Sequence, residues 1–275
     1  MLKRILLALS GTECTPIAVR RAVELARRHG ASITAVTVVD LEQLRKVGPV
    51  PIGGGPAAHK LTEHRVAVTQ EHVEEEIARF EKACNDASVP YVVDRESGDP
   101  FELLLGLWRY HDLTIIGMRG LFGYGVVHKP DDQVLKLIRC GVRPIIGVSS
   151  EFHVVTRVLV AYNGSPESAV AIKRFAQLQM WPDAALKVVC FGFEEKQATP
   201  LLTGATAYLR AHGYQPEAES RPGGAKPGLI THAQEWNADL VVMGATYRGR
   251  IGKLLRGPTT LEVLMHAGLP LFLSQ

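Results

Sequence analysis

Short apolar runs recur along the chain, each followed by a longer stretch in which apolar positions return every three or four residues. "RILLAL" from Arg4, "SITAVTVV" from Ser32, "LTIIG" from Leu113 and "PIIGV" from Pro144 are of the first kind. Their lack of polar alternation is the pattern of parallel strands covered by helices on both faces. The longer stretches read as helices. In "EHVEEEIARFEKAC", Val73, Ile77, Phe80 and Cys84 fall at i, i+4, i+7 and i+11, which is one helical stripe. The first half therefore reads as β-α-β-α-β-α-β-α-β. The predicted strands are Arg4–Leu9, Ser32–Val39, Pro90–Arg95, Leu113–Gly117 and Pro144–Val148, and the predicted helices are Thr15–His29, Leu61–Asp86, Pro100–Tyr110 and Asp131–Arg139. Gly30 supplies a stop after the first helix. Leu41–Lys60, rich in Gly and Pro and without periodicity, stands outside this scheme. A mobile surface insertion is favoured there over a lid.

The same order then repeats. "RILLALSGTECTPIAVRRAVELA" from Arg4 aligns without gaps on "RVLVAYNGSPESAVAIKRFAQLQ" from Arg157. "HDLTIIGMRG" from His111 aligns on "ADLVVMGATY" from Ala238, and "VRPIIGVSS" from Val142 matches "GLPLFLSQ" from Gly268. The chain is a duplication of two units, 1–150 and 151–275, each of ordinary domain size. The short join "SSEFHVVT" implies two closely packed units. The last strands of the halves, in "PIIGV" and "PLFL", offer edges through which the units would pair. The fold class is α/β with two tandem doubly wound domains.

Composition narrows the partners. The formal net charge is +3, from 31 basic and 28 acidic residues, which is no electrostatic footprint for nucleic acid. Cys14, Cys84, Cys140 and Cys190 are far apart and form no C-x-x-C pair. They read as reduced, mostly buried thiols of a cytoplasmic protein rather than a disulfide framework or a zinc site. No apolar stretch approaches the ~20 residues that span a bilayer, and the apolar run at the start is too short for a signal peptide.

Chemistry is concentrated in the turn after the first strand and the loop after the fourth. In the second half the turn is Asn163-Gly164-Ser165, and the loop is "GATYRGRIGKLLRGPTT" from Gly244. The loop carries glycines, hydroxyls and the bases Arg248, Arg250, Lys253 and Arg256 ahead of a helix start. Such a loop brings backbone N–H groups and a helix dipole to an anion.

These features are similar to the universal stress proteins in their tandem, two-domain form. Nucleotide-binding members of that family carry G-x-x-G-(nine residues)-G-[S/T] in the loop between the fourth strand and the last helix, and an Asp at the end of the first strand. The resemblance implies a five-stranded parallel sheet of order 3-2-1-4-5 in each half, with helices on both faces and the two loops facing one crevice. It implies a stress-response protein with ATP as the candidate cofactor. This chain departs from the pattern. In the first half Gly117 and Gly120 are present, but Pro130-Asp131 closes the loop and Ser10 replaces the turn Asp. In the second half Gly244 and Gly257 keep the spacing, while Tyr247, Pro258 and Asn163 replace the second Gly, the Ser/Thr and the Asp. Pro258 removes one N–H donor. Thr259 and Thr260 follow it with hydroxyls.

The candidate nucleotide-binding set is thus Asn163, Gly164, Ser165, Gly244, Thr246, Arg248, Gly257, Thr259 and Thr260. No catalytic residue and no metal ligand are expected. The chain has no Walker loop or nucleophile elbow, and "SGTECT" matches only the start of the S-G-G-x-D-S loop of adenylating ATP pyrophosphatases. The expected role is a nucleotide-responsive binding or signalling module, at most an incidental slow ATPase. The alternative is an interaction or scaffold protein with degenerate sites or another small ligand. Expected partners are an adenine nucleotide, the other half of the same chain and, as a candidate, a second copy. Asp112 and Asp239, at the starts of the fourth strands, are expected to cap or pair structurally.

Overall fold

A computed structural model of the chain describes residues 2–39, 55–98, 100–118, 137, 142, 144–245 and 268–274. The apolar runs of the first half become β1 (Arg4–Ala8), β2 (Ser32–Val39), β3 (Tyr91–Ser97), β4 (Leu113–Gly117) and β5 (Ile145–Val148). Those of the second half become β6 (Arg157–Ala161), β7 (Ala185–Phe191), β8 (Glu217–Arg221), β9 (Leu240–Gly244) and β10 (Leu271–Ser274). The helices are α1 (Thr15–His29), α2 (Gly55–Asp86), α3 (Pro100–Leu107), α4 (Pro166–Leu178), α5 (Glu195–Ala211) and α6 (Ala225–Glu235).

All ten strands lie in one sheet, of order β3-β2-β1-β4-β5-β10-β9-β6-β7-β8. Each half therefore has the order 3-2-1-4-5. Every pairing within a half is parallel, for example Ile5 with Ile33 and with Leu113. Right-handed crossovers carry α1 and α2 over one face as the chain moves from β1 to β3, and α3 over the other as it returns to β4. This two-sided cover explains the apolar runs: β1 and β4 are buried along almost their whole length.

The halves meet strand to strand. β5 and β10 pair antiparallel, with Leu271 opposite Gly147, Phe272 opposite Ile146 and Leu273 opposite Ile145. These are the two edges that the sequence offered for pairing, and together they remove two rows of open backbone groups. The remaining outer edges, β3 and β8, carry Asp94, Arg95 and Glu96 on one side and Glu217, Glu219 and Arg221 on the other. Charges on an edge strand discourage further pairing.

Several helix limits differ from expectation for local reasons. α2 begins at Gly55, not Leu61, so the last residues of the predicted insertion are helical. Pro56 suits a first helical position, and Ala57, Ala58 and Lys60 are good helix formers. The stripe Val73, Ile77, Phe80 and Cys84 is buried, as its spacing predicts. The predicted helix Pro100–Tyr110 tightens into a 3-10 turn over Trp108–Tyr110. Residues 41–54 of the insertion, and the predicted helix Asp131–Arg139 apart from the buried Leu137, lie outside the described residues. α1 ends on Gly30 in the left-handed region at φ 59°, with Arg27, Arg28 and His29 in its last turn. Among the described residues no helix is long and apolar enough to cross a membrane.

Phe272 lies at the centre of the seam, fully buried, with its ring edge-on to Phe175 at a centroid distance of 5.7 Å. Truncating a buried Phe costs about 3–5 kcal/mol. Phe272→Ala is expected to lower the urea midpoint of unfolding accordingly. Val92→Ala, on an outer edge and 58% exposed, is expected to change stability by less than about 0.5 kcal/mol.

Candidate functional site

In a doubly wound sheet the strand order reverses beside the first strand, and a crevice opens there at the carboxyl ends. In this chain the two switch points lie between β1 and β4 and between β6 and β9.

In the first half the turn closes on itself. Ser10 is fully buried. Its Oγ lies 3.0 Å from Thr12 Oγ1 and 3.1 Å from Thr15 Oγ1, and the Thr12 N–H donates to Thr15 Oγ1 at 3.0 Å. A Cβ on Gly117 would stand 2.8 Å from Cys14 Cβ, so the end of β4 rests directly against the start of α1. The hydroxyls at this turn, with Ser10 in place of the expected carboxylate, satisfy one another.

The second half differs. Asn163 and Gly164 are exposed. Asn163 Oδ1 accepts from the Ser165 N–H at 3.1 Å, which makes an Asx turn. Gly164 takes φ +75°, which the turn requires and which a side chain would strain. Ser165 caps α4: its Oγ accepts from the Ser168 N–H at 3.2 Å, and Ser168 Oγ donates to the Ser165 carbonyl at 2.9 Å. Pro166 follows in the first turn, where its missing N–H costs nothing. Gly244 closes the arrangement. A Cβ there would lie 2.6 Å from the Glu167 carbonyl carbon and from the Ser168 nitrogen. The end of β9 thus packs on the first turn of α4, and the absent side chain permits it.

Of the predicted site residues, Asn163, Gly164, Ser165 and Gly244 come together around the start of α4. Thr246, Arg248, Gly257, Thr259 and Thr260 lie outside the described residues. Sequence reasoning missed Leu201. Its Cδ2 would be 2.7 Å from a Cβ on Gly164, so α5 leans over the turn. Only a contact between the turn and a helix distant in sequence reveals this; no local pattern marks Leu201 apart from its neighbour Leu202.

The carboxylates at the other end of the sheet act as expected. Asp112 Oδ2 accepts from the backbone N–H groups of Lys3 and Arg4 at 2.8 and 2.9 Å. Asp239 Oδ2 accepts from the N–H groups of Thr156 and Arg157 and from Thr156 Oγ1, each at 2.8 Å. They fasten the starts of β1 and β6. His111 is likewise structural, lying between the Leu107 carbonyl at 2.7 Å and Thr34 Oγ1 at 2.9 Å. Burial holds its pKa below the ordinary value. Cys14, Cys84 and Cys190 are buried and outside any disulfide, and burial pushes the Cys84 thiol up to about 12, far from a reactive thiolate. Among the described residues no group of three or more His, Cys, Asp or Glu side chains is placed to hold a metal.

The model of the universal stress protein family matches residues 1–142 and 191–274. The chain belongs to the universal stress protein family. It is 26% identical over 282 residues to the universal stress protein Slr1230 of Synechocystis, covering 98% of each chain. Its fold is similar to that of a universal stress protein from Archaeoglobus fulgidus, with a TM-score of 0.70 at 16% identity, over 99% of this chain and 96% of that one. A functionally unknown protein from Pseudomonas aeruginosa PAO1 shares the fold at a TM-score of 0.61 and 16% identity, over 99% and 92%. The stretch between the two matched segments, 143–190, contains the Asn163 turn.

The contact at Gly244 generates a paired prediction. Gly244→Ala must displace the first turn of α4 and is expected to cost about 1–3 kcal/mol. Gly204→Ala, inside α5 with nothing within 4 Å of the added Cβ, is expected to stabilise by about 0.5–1 kcal/mol. Thermal denaturation of the two variants checks both signs.

Proposed function

We propose that this universal stress protein is a cytoplasmic binding or signalling module of the stress response, built of units 1–150 and 151–275. Its second-half crevice takes an adenine nucleotide. The observation that carries the reading is the exposed Asn163–Gly164 turn standing beside Gly244 at the strand-order switch, while in the equivalent first-half turn Ser10 is buried and its hydroxyl is taken up by Thr12 and Thr15. The Asn163 side chain has an amide N–H₂ left over from the Asx turn, suited to an acceptor on a ribose or an adenine. Gly257, Thr259 and Thr260, with Thr246 and Arg248, would supply the phosphate end, as the loop pattern in the sequence suggests. The role is binding rather than catalysis.

A second reading rests on the same turn. Asn163 Oδ1 and Ser165 Oγ already accept backbone N–H groups, and Leu201 leans on Gly164. A turn so occupied also suits an interaction protein whose crevice has lost its nucleotide or accepts another small ligand.

Small molecules released from the purified, denatured protein separate the readings by mass spectrometry. Stoichiometric ATP, absent from Gly257→Asp, is the expected result. A ligand at ~100 times its Kd raises stability by about 2.7 kcal/mol, so millimolar ATP is also expected to raise the Tm. No released nucleotide together with an unmoved Tm overturns the proposal in favour of the second reading.

A further inference from the structure

Away from both crevices, the halves share a second junction. Arg21, in the middle of α1, is 1% exposed, and so is Trp181, just past α4. Arg21 Nη1 donates to Glu24 Oε2 at 2.5 Å, and its Nη2 donates to the His153 carbonyl. Trp181 Nε1 donates to the other Glu24 oxygen at 3.0 Å. The guanidinium lies 4.6 Å from the Phe152 ring centroid and 5.3 Å from that of Trp181, and Arg20 lies 3.7 Å from Phe152. One carboxylate thus joins a helix of the first half to the second half, with the connecting segment folded between them.

Two histidines border this joint, each with one buried ring nitrogen that has no partner. The Nε2 atoms of His29, the last residue of α1, and of His153 are buried and have no hydrogen-bond partner. His29 also donates to the Met180 carbonyl beside Trp181. The charges around it are unfavourable to a further cation. Arg28 acts from its own helix and the positive amino terminus from the start of the first half, while the Met180 carbonyl, which favours the imidazolium, is outweighed by burial. Deeper in the joint stand Arg20 and Arg21 against Glu24, with Asp239 acting on Arg21 from the base of β9.

We propose that this junction is an acid-sensitive latch: protonation of His29 loosens the contact between α1 and Met180–Trp181 and frees the two halves to shift about the β5–β10 seam. The imidazolium would place an N–H on a buried position without an acceptor, which is costly. Burial, the largest influence on His29, holds its pKa below the ordinary value. An unfolded or released His29 therefore binds a proton more readily than the latched one. The latch is complete above the ordinary histidine value of about 6.5 and weakens as pH falls below it.

Trp181 reports the event. In a Trp108→Phe, Trp236→Phe background its emission is expected to move to the red between pH 7.5 and 5. The midpoint should lie below about 6.5, where ordinary carboxylates stay ionised, and far-UV circular dichroism should not change. His29→Gln is expected to hold the emission constant across that range. The imidazole signal of His29, followed by NMR in the unmutated chain, should titrate with the same midpoint, which keeps the test intact should that variant fold poorly. Emission that does not move, moves equally in His29→Gln, or moves only together with loss of circular dichroism overturns the proposal.

Discussion

The antiparallel pairing of β5 with β10 is the constraint on which the rest of the architecture depends. Each strand is only four residues long, and each would otherwise be the open edge of a parallel sheet. Because the two are equivalent strands of a duplicated sequence, pairing them antiparallel relates the halves by a local two-fold axis, the arrangement by which like surfaces match. Strand direction reverses at the seam, so the carboxyl ends, and with them the two crevices, leave it in opposite directions. Duplication in one chain makes the association intramolecular, and it need not occur between equals. One half can then lose a feature that the other keeps. The self-bonded hydroxyl cluster at Ser10 and the exposed turn at Asn163 are the two outcomes of that freedom.

The second junction obeys different physics. A buried arginine is expensive unless its donors and its charge are met. The two terminal nitrogens of Arg21 are met by a carboxylate and a carbonyl, and its plane by two aromatic faces, while its buried Nε has no partner. Burial lowers its pKa, and Glu24 raises it again. The seam is apolar and indifferent to pH, whereas this joint is ionic and sensitive to it. A structure held at one place by backbone pairing and at another by a charge network has a natural hinge and a natural trigger. Removing a single partner from such a network costs more than the intact network contributes.

Much of the fold was legible in the sequence. The gapless match of the two first-strand regions, the unalternating apolar strands and the Val73–Ile77–Phe80–Cys84 stripe each depend on local spacing, and local spacing is what a sequence displays. The seam was legible for the same reason: "PIIGV" and "PLFL" are apolar strands at the end of each unit, with no successor to cover them. The start of α2 was not. A Gly/Pro-rich run reads as loop until its proline falls at the first turn of a helix, and only the fold shows which turn that is. The latch was invisible altogether. Phe152 and Trp181 are distant in sequence from the Arg21–Glu24 pair, and a charged pair at helical spacing reads as solvated surface.

The candidate site shows where legibility ends. The motif positions Asn163, Gly164, Ser165 and Gly244 could be named from spacing, and the fold does bring them together. What spacing could not show is the use each already has. Asn163 and Ser165 spend their oxygens on the turn and the cap, and Gly244 is required by the backbone of α4 before any ligand arrives. A glycine or a hydroxyl in a binding motif therefore has two reasons to be present, and the structural reason alone suffices to retain it. The discriminating group is one with no structural employment. At this turn that is the amide N–H₂ of the exposed Asn163, and it makes the exposure of this turn, rather than the completeness of the motif, the argument for a ligand.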